Sequence, residues 1–314
     1  MKEIETSKIT LGTAQLGLKY GISNKRGKPN LNLIDKILKT ATQNNIFSFD
    51  TAPDYGNSEE ILGNYFNENK NNFEPTIVTK IPSIRHTNNQ PTFDEVYEKI
   101  KASVLNSIAR LRLDKISVSL LHDPNDMVRY NGYIVKSLIK LKEEGLVRFI
   151  GASVYSPEDV ETFLEINELD VIQIPINVFD LRLIRMGLLD DLINAKKIIF
   201  ARSTFLQGLF FLQPNELPQN LSSAKPFLSK LTEISYKYKI SIPRLALTFV
   251  RDIRGIESMI IGVENEKQLI NNIDMLQSAP LPNEVIEEIH RSFNEVPDKI
   301  INPSMWSLGD SKND

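Results

Sequence analysis

The feature that most constrains the fold is a repeated pattern of polarity. Short apolar runs at 8–12, 46–50, 76–80, 116–122, 147–153, 170–174, 197–202 and 258–262 alternate with longer segments whose apolar residues recur every three or four positions. The short runs read as buried strands and the longer segments as amphipathic helices. Leu33, Ile34, Ile37, Leu38 and Ala41 give helical spacing over 31–44, and Val96, Ile100, Val104, Ile108 and Leu111 give it after Thr92. Parallel strands need long crossovers, which helices supply. About eight units of roughly 30–40 residues each predict an α/β chain of one domain, a closed (β/α)8 TIM barrel. An open doubly wound sheet is the alternative, but its dinucleotide site calls for Gly-x-Gly-x-x-Gly, and Gly12 and Gly17 do not fit that spacing.

Local punctuation supports the helices. Thr92-Phe93-Asp94-Glu95 has the form of a capping box. Ser156-Pro157-Glu158-Asp159 puts a hydroxyl at the N-cap, proline at the first helical position and acids in the first turn. Gly145 stands where the helix over 134–144 should end. Further helices are expected over 58–67, 227–239, 243–251, 265–276 and 283–293. Residues 214–226, polar and dotted with proline, read as a surface loop, and the chain after Pro297 (298–314) as a frayed, partly flexible tail.

Charge and residue usage then exclude several functions. With 37 basic against 40 acidic residues the net charge is −3, which gives no sign of a nucleic-acid surface or a polybasic membrane patch. There is no cysteine, so disulfides, thiolate metal sites and cysteine nucleophiles are excluded. Only His86, His122 and His290 are present, and no metal site is expected. No apolar run reaches the roughly 18 residues a membrane helix needs. The first six residues are too polar for a secretory signal, so the cytoplasm is the default location.

The chemistry gathers at strand ends. Phe49-Asp50-Thr51-Ala52-Pro53-Asp54-Tyr55-Gly56 puts a carboxylate at the end of one strand and a phenol on the loop beyond. Lys80 closes the next strand and His122 the one after. Singly these residues read as a cap, a turn, a surface lysine and a structural histidine. A barrel brings them around one mouth. Together they make sense as proton-transfer machinery. A tyrosine titrates near 10, too high for easy proton shuttling at neutral pH. A nearby ammonium lowers that value, an aspartate orients the ammonium, and a histidine hydrogen-bonds a carbonyl oxygen. Such a site has no hydride source of its own and needs a nicotinamide cofactor.

Over nearly its full length, the chain resembles the aldo-keto reductase superfamily. Asp50 in Phe-Asp-Thr-Ala, Tyr55, Lys80 in Val-Thr-Lys and His122 in Leu-Leu-His-Asp match that family's catalytic tetrad. The resemblance implies that Tyr55 is the general acid in reduction and that a small-molecule carbonyl compound is the partner. It implies a cofactor groove that opens with Gly12, Thr13 and Ala14 and takes in Asp50. Ser153 and Gln173 match the residues that hold the nicotinamide carboxamide, with Val154 where the family usually has asparagine. Arg202, Ser203, Thr204, Leu206 and Gly208 fall in the loop over the pyrophosphate, Arg202 as a phosphate partner. Gly262, Glu264, Gln268, Asn271 and Asn272 fall at the adenosine end, where Asn272 matches an adenine contact. NADP(H) is the family default. Here Glu264 would repel a 2′-phosphate, Gln268 replaces an arginine, and Lys267 is the compensating cation, so NAD(H) use is also expected. Phe179, Phe205, Phe210 and Trp306 lie on segments that line the family's mouth, although packing is the simpler reading of each. The stretch 203–208 and the tail around Trp306 resemble a bacterial subgroup associated with sugar and surface-polysaccharide metabolism. Three functions stay open: a carbonyl reductase, a Schiff-base lyase using Lys80, and a cofactor-binding regulatory subunit.

Overall fold

Eight parallel strands pair in chain order, and the last closes on the first, in the computed structural model, which describes residues 4–69, 74–85 and 90–306. They are β1 (Ile9–Gly12), β2 (Ser48–Asp50), β3 (Thr76–Ile81), β4 (Ile116–Leu121), β5 (Val147–Ser153), β6 (Val171–Pro175), β7 (Ile198–Arg202) and β8 (Ile256–Gly262). Helices connect them, as the polarity pattern requires. Strands walled by helices outside and side chains inside are buried on both faces, which is why they read as near-continuous apolar runs.

The barrel interior explains where the polar residues go. Ile4, Val78, Val118, Leu120, Phe149, Val171 and Phe200 form a cluster separate from the larger one between strands and helices. Side chains two apart on a strand share a face. The interior positions Val78, Leu120, Val171 and Phe200 are therefore followed, two residues on, by Lys80, His122, Gln173 and Arg202. Ser48 leads to Asp50 and Gly151 to Ser153 in the same way. Apolar side chains plug the lower barrel, and one more step along each strand reaches a polar layer at the carboxyl ends.

The helix signals hold. Thr92 accepts from Glu95 N, and the Glu95 side chain accepts from Thr92 N. Ser156 and Asp159 make the same reciprocal box ahead of helix Pro157–Leu164. Gly145 has φ +78, the left-handed conformation that ends a helix.

Two expectations need correction. Within the supposed loop 214–226, Gln219–Ala224 forms a 3-10 helix that buries Leu221 and Ala224, and the next helix starts at Lys225. The spaced apolar residues anchor what the prolines disguise. The tail after Pro297 is also not frayed as far as Trp306. Asp298–Ile301 is helical, Ile300 and Ile301 are buried, and the Trp306 indole N–H donates to Lys299 O at 3.0 Å. Residues 307–314 and His86 lie outside the described residues.

Candidate active site

Three strand ends bring the proton-transfer residues together: Asp50 and Tyr55 at β2, Lys80 at β3 and His122 at β4. Lys80 Nζ lies 2.7 and 2.8 Å from the two Asp50 carboxylate oxygens and 2.9 Å from Thr51 O. The pair is buried, with side-chain exposures of 2% and 6%. Lys80 Nζ also sits 4.9 Å from the centre of the Tyr55 ring. The His122 ring meets Tyr55 edge-on at 6.0 Å, and its Nδ1 lies 3.3 Å from Asp54 Oδ2. Gln173 Nε2 donates to Asp50 Oδ1 at 2.5 Å. One N–H of the Gln173 amide is thus engaged by Asp50, which leaves its second N–H and its oxygen for a carboxamide.

Backbone packing sets the Tyr55 loop. Gly56 has φ +58, and a Cβ there would come within 2.4 Å of Gly17 O. A Cβ on Gly17 would come within 1.7 Å of Tyr55 O. Two bare backbones therefore press together behind the phenol. Thr51 donates to Ser58, Ser58 to Thr13, and Thr13 to Asp50 O, a hydroxyl chain that ties β1 to the end of β2.

The electrostatics overturn one expectation. Burial pushes the Tyr55 phenol well above its usual range, and the Asp50 charge pushes it further; Arg202 is the strongest counterweight. Lys80 is not among the leading influences on the phenol, its ammonium charge being offset at 2.7 Å by Asp50. Tyr55 therefore keeps its proton at neutral pH. His122 is lowered by burial and by the Lys80 ammonium, while Asp54 pulls it up. Its imidazole is neutral at pH 7. A carboxylate only accepts, so the bond to Asp54 assigns the proton to Nδ1 and leaves Nε2 an acceptor.

These residues line one cavity of about 550 Å3 that runs from Tyr55 and His122 to Asn271 and Asn272. Gly12, Thr13, Ala14, Ser153, Gln173, Arg202, Ser203, Thr204, Gly208, Gly262, Glu264 and Gln268 also line it. Leu206 does not. Its φ of +46 turns the side chain inward, where it is fully buried in the core. The chain's fit to a dinucleotide is visible in buried polar atoms of this lining that lack partners, Thr204 Oγ1 and Arg202 Nε. At the far end, burial raises the Glu264 carboxyl while Arg26 opposes the rise. Gln268 is engaged, accepting from Glu264 N at 2.7 Å. Lys267 is exposed and, like Arg26, outside the lining.

Residues 8–293 match the Aldo/keto reductase family. The chain belongs to this family. It is similar to the aldo-keto reductase YhdN of Bacillus subtilis, 31% identical over 56% of this chain and 52% of that one, so the match spans about half the relative's length. It is also similar to an NADH-specific methylglyoxal reductase of Escherichia coli, 25% identical over 82% of this chain and 88% of that one. In fold it resembles the holo form of the aldo-keto reductase AKR11C1 from Bacillus halodurans, with a TM-score of 0.73 and 18% identity over 92% and 93% of the two chains. An oxidoreductase acting on carbonyl compounds is what this family membership supports.

In this aldo-keto reductase the cavity contains residues that the strand-end pattern could not reveal. Tyr20 and Tyr155 line it, and the Arg202 guanidinium lies 4.3 Å over the Tyr155 ring. Phe205 and Phe211 line it, whereas Phe179 and Phe210 pack on each other in the core at 4.8 Å, and Trp306 is buried. Loop 18–30 reaches the loop after β7: Ile22 N donates to Gln207 O at 2.9 Å, and Lys25 pairs with Glu216 at 2.7 Å. Only the Gly-rich character of 17–27 hinted that this loop closes on another.

Proposed function

We propose that this chain is an NAD(P)H-dependent carbonyl reductase, with Tyr55 as general acid and Asp50, Lys80 and His122 around it. The observation that carries the reading is the convergence of Asp50, Tyr55, Lys80 and His122 in one cavity of about 550 Å3. The bound nicotinamide supplies the hydride. Tyr55 hydrogen-bonds the carbonyl oxygen and gives up its proton as negative charge develops there. An alkoxide is more basic than a phenolate, so the transfer runs downhill even from a raised phenol. Lys80, locked by Asp50 and Thr51 with all three of its donors engaged, holds its charge 4.9 Å from the centre of the Tyr55 ring. The His122 ring stands edge-on to Tyr55 at 6.0 Å: its Nε2 accepts from an alcohol when neutral and donates to a carbonyl when the ring is protonated.

The cofactor groove comprises the residues from Gly12 to Asn272 named above. Glu264 near the adenosine end disfavours a 2′-phosphate and suits a ribose hydroxyl, which supports use of NADH. The name of the Escherichia coli relative points the same way. A Schiff-base lyase is disfavoured, because an ammonium locked between carboxylate oxygens is a poor nucleophile.

The test is a carbonyl panel followed by loss of NADH and NADPH absorbance. Tyr55→Phe should lose about 10²–10⁴ in kcat and keep its cofactor Kd. Near-wild-type turnover in Tyr55→Phe would refute the acid assignment. A preference for NADPH above about a hundredfold, roughly 2.7 kcal/mol, would sink the NADH reading. Tight cofactor binding without any turnover would make the chain a regulatory subunit. Borohydride trapping on Lys80 would make it a lyase.

A further inference from the structure

The cavity is charged in a way that proton and hydride transfer do not require. Asp50, Lys80, Arg202 and Glu264 line it, together with the neutral imidazole of His122. Asp50 and Lys80 offset each other, and Glu264 stands at the far end. Arg202 is left as a cation with no carboxylate partner among the described residues. Its Nη2 donates to Val154 O at 2.5 Å, and its Nη1 approaches Ser203 Oγ at 3.3 Å. Its plane rests on the Tyr155 ring at 4.3 Å, and its Nε is buried without a partner. The guanidinium is therefore held in one orientation and is incompletely satisfied. A cation drawn partly out of water without an anion is costly, so such an arrangement suits a ligand that brings the anion.

Two further donors stand beside it. Tyr20 and Tyr155 line the cavity, and neither hydroxyl hydrogen-bonds a described residue. Burial raises Tyr20, which keeps its proton and can only help an anion. Resting on the reductase reading, we propose that Arg202, with the hydroxyls of Tyr20 and Tyr155, forms an anion subsite beside Tyr55 that holds a carboxylate of the carbonyl substrate. The substrate class is then an oxo acid or an aldehyde acid.

The shared chemistry is a charged oxyanion, and the cofactor's pyrophosphate is the other source of one. Position favours the substrate. Arg202 ends β7 in the same inward layer as Lys80, Ser153 and Gln173, and its charge acts on the phenols of both Tyr55 and Tyr20. It belongs to the proton-transfer end of the cavity.

The experiment compares wild type, Arg202→Gln and Arg202→Lys, each checked for folding by thermal melting. With NADH, kcat/KM is measured for 4-carboxybenzaldehyde and for benzaldehyde. Arg202→Gln should lower the acid-to-neutral ratio about tenfold or more, the scale of one charge-assisted hydrogen bond, and Arg202→Lys should restore part of it. Calorimetry with benzoate needs no turnover, so it tests the subsite even if the reductase reading fails; Arg202→Gln should weaken benzoate binding by a similar factor. If Arg202→Gln instead weakens NADH binding about tenfold and leaves the ratio unchanged, the anion is the pyrophosphate and the substrate assignment is overturned. If the ratio, benzoate affinity and NADH affinity all stay put, there is no anion subsite.

Discussion

Replacing Asp50 with asparagine tests whether the Lys80–Asp50 pair is the electrostatic centre of the site. Lys80 is 2% exposed, and three of its bonds go to Asp50 and Thr51 O. In Asp50→Asn the ammonium keeps Thr51 O and one amide oxygen but loses its counter-charge. Breaking one side of a buried pair costs about 3–5 kcal/mol. An upper limit exists, because a lysine can shed its proton instead: from a reference value near 10.4 to pH 7 this costs roughly 4.6 kcal/mol. We expect a loss of about 3 kcal/mol in urea unfolding at pH 7. The sign of the pH dependence follows. An uncompensated buried lysine binds its proton less tightly when folded than when unfolded, so the unfolded state carries more protons and stability rises with pH. The deficit against wild type should narrow between pH 7 and about 10. Lys80→Met in the same chain should recover most of it, because no buried charge is left alone. Tyr55 supplies a second readout. Asp50 raises the phenol, so its removal should lower the Tyr55 pKa, read as tyrosinate absorbance. A loss under about 1 kcal/mol at pH 7, the scale of an exposed pair, or a deficit that does not narrow with pH, would refute the reasoning.

Two further outcomes follow from the site. Asp54 raises His122 and holds its Nδ1, so Asp54→Asn should lower the His122 pKa further. Carbonyl reduction should then gain its imidazolium-dependent limb at lower pH than in wild type; an unmoved limb would mean that His122 protonation does not govern the rate. Gly17→Ala puts a methyl group where Tyr55 O stands, 1.7 Å away. It should shift the Tyr55 loop and lower kcat at least about tenfold with cofactor Kd little changed, and a fully active variant would show that the loop can yield.

Much of the architecture was legible because hydrophobic periodicity is a local property. Eight alternations specify a barrel, and period-two spacing puts Asp50, Lys80, Ser153, Gln173 and Arg202 in one inward layer at the strand ends. The misreadings came where long-range packing overrides local polarity. The proline-dotted stretch before Lys225 hides two core residues, Leu221 and Ala224. Leu206 sits in a loop that faces the groove, yet its left-handed backbone sends the side chain into the core.

The sequence by itself determined which chemical groups exist and which strand end each occupies, since these depend on residue identity and a count of two along a strand. Tertiary structure alone decided what those groups do to one another. Asp50 takes up the Lys80 charge from 30 residues away and accepts from Gln173 across 123. Burial then raises Tyr55 when residue types alone predicted that lysine would lower it. Among the described residues Arg202 is left with an aromatic ring and no acid. Distance and dielectric set these outcomes, and both come into being only when the barrel closes.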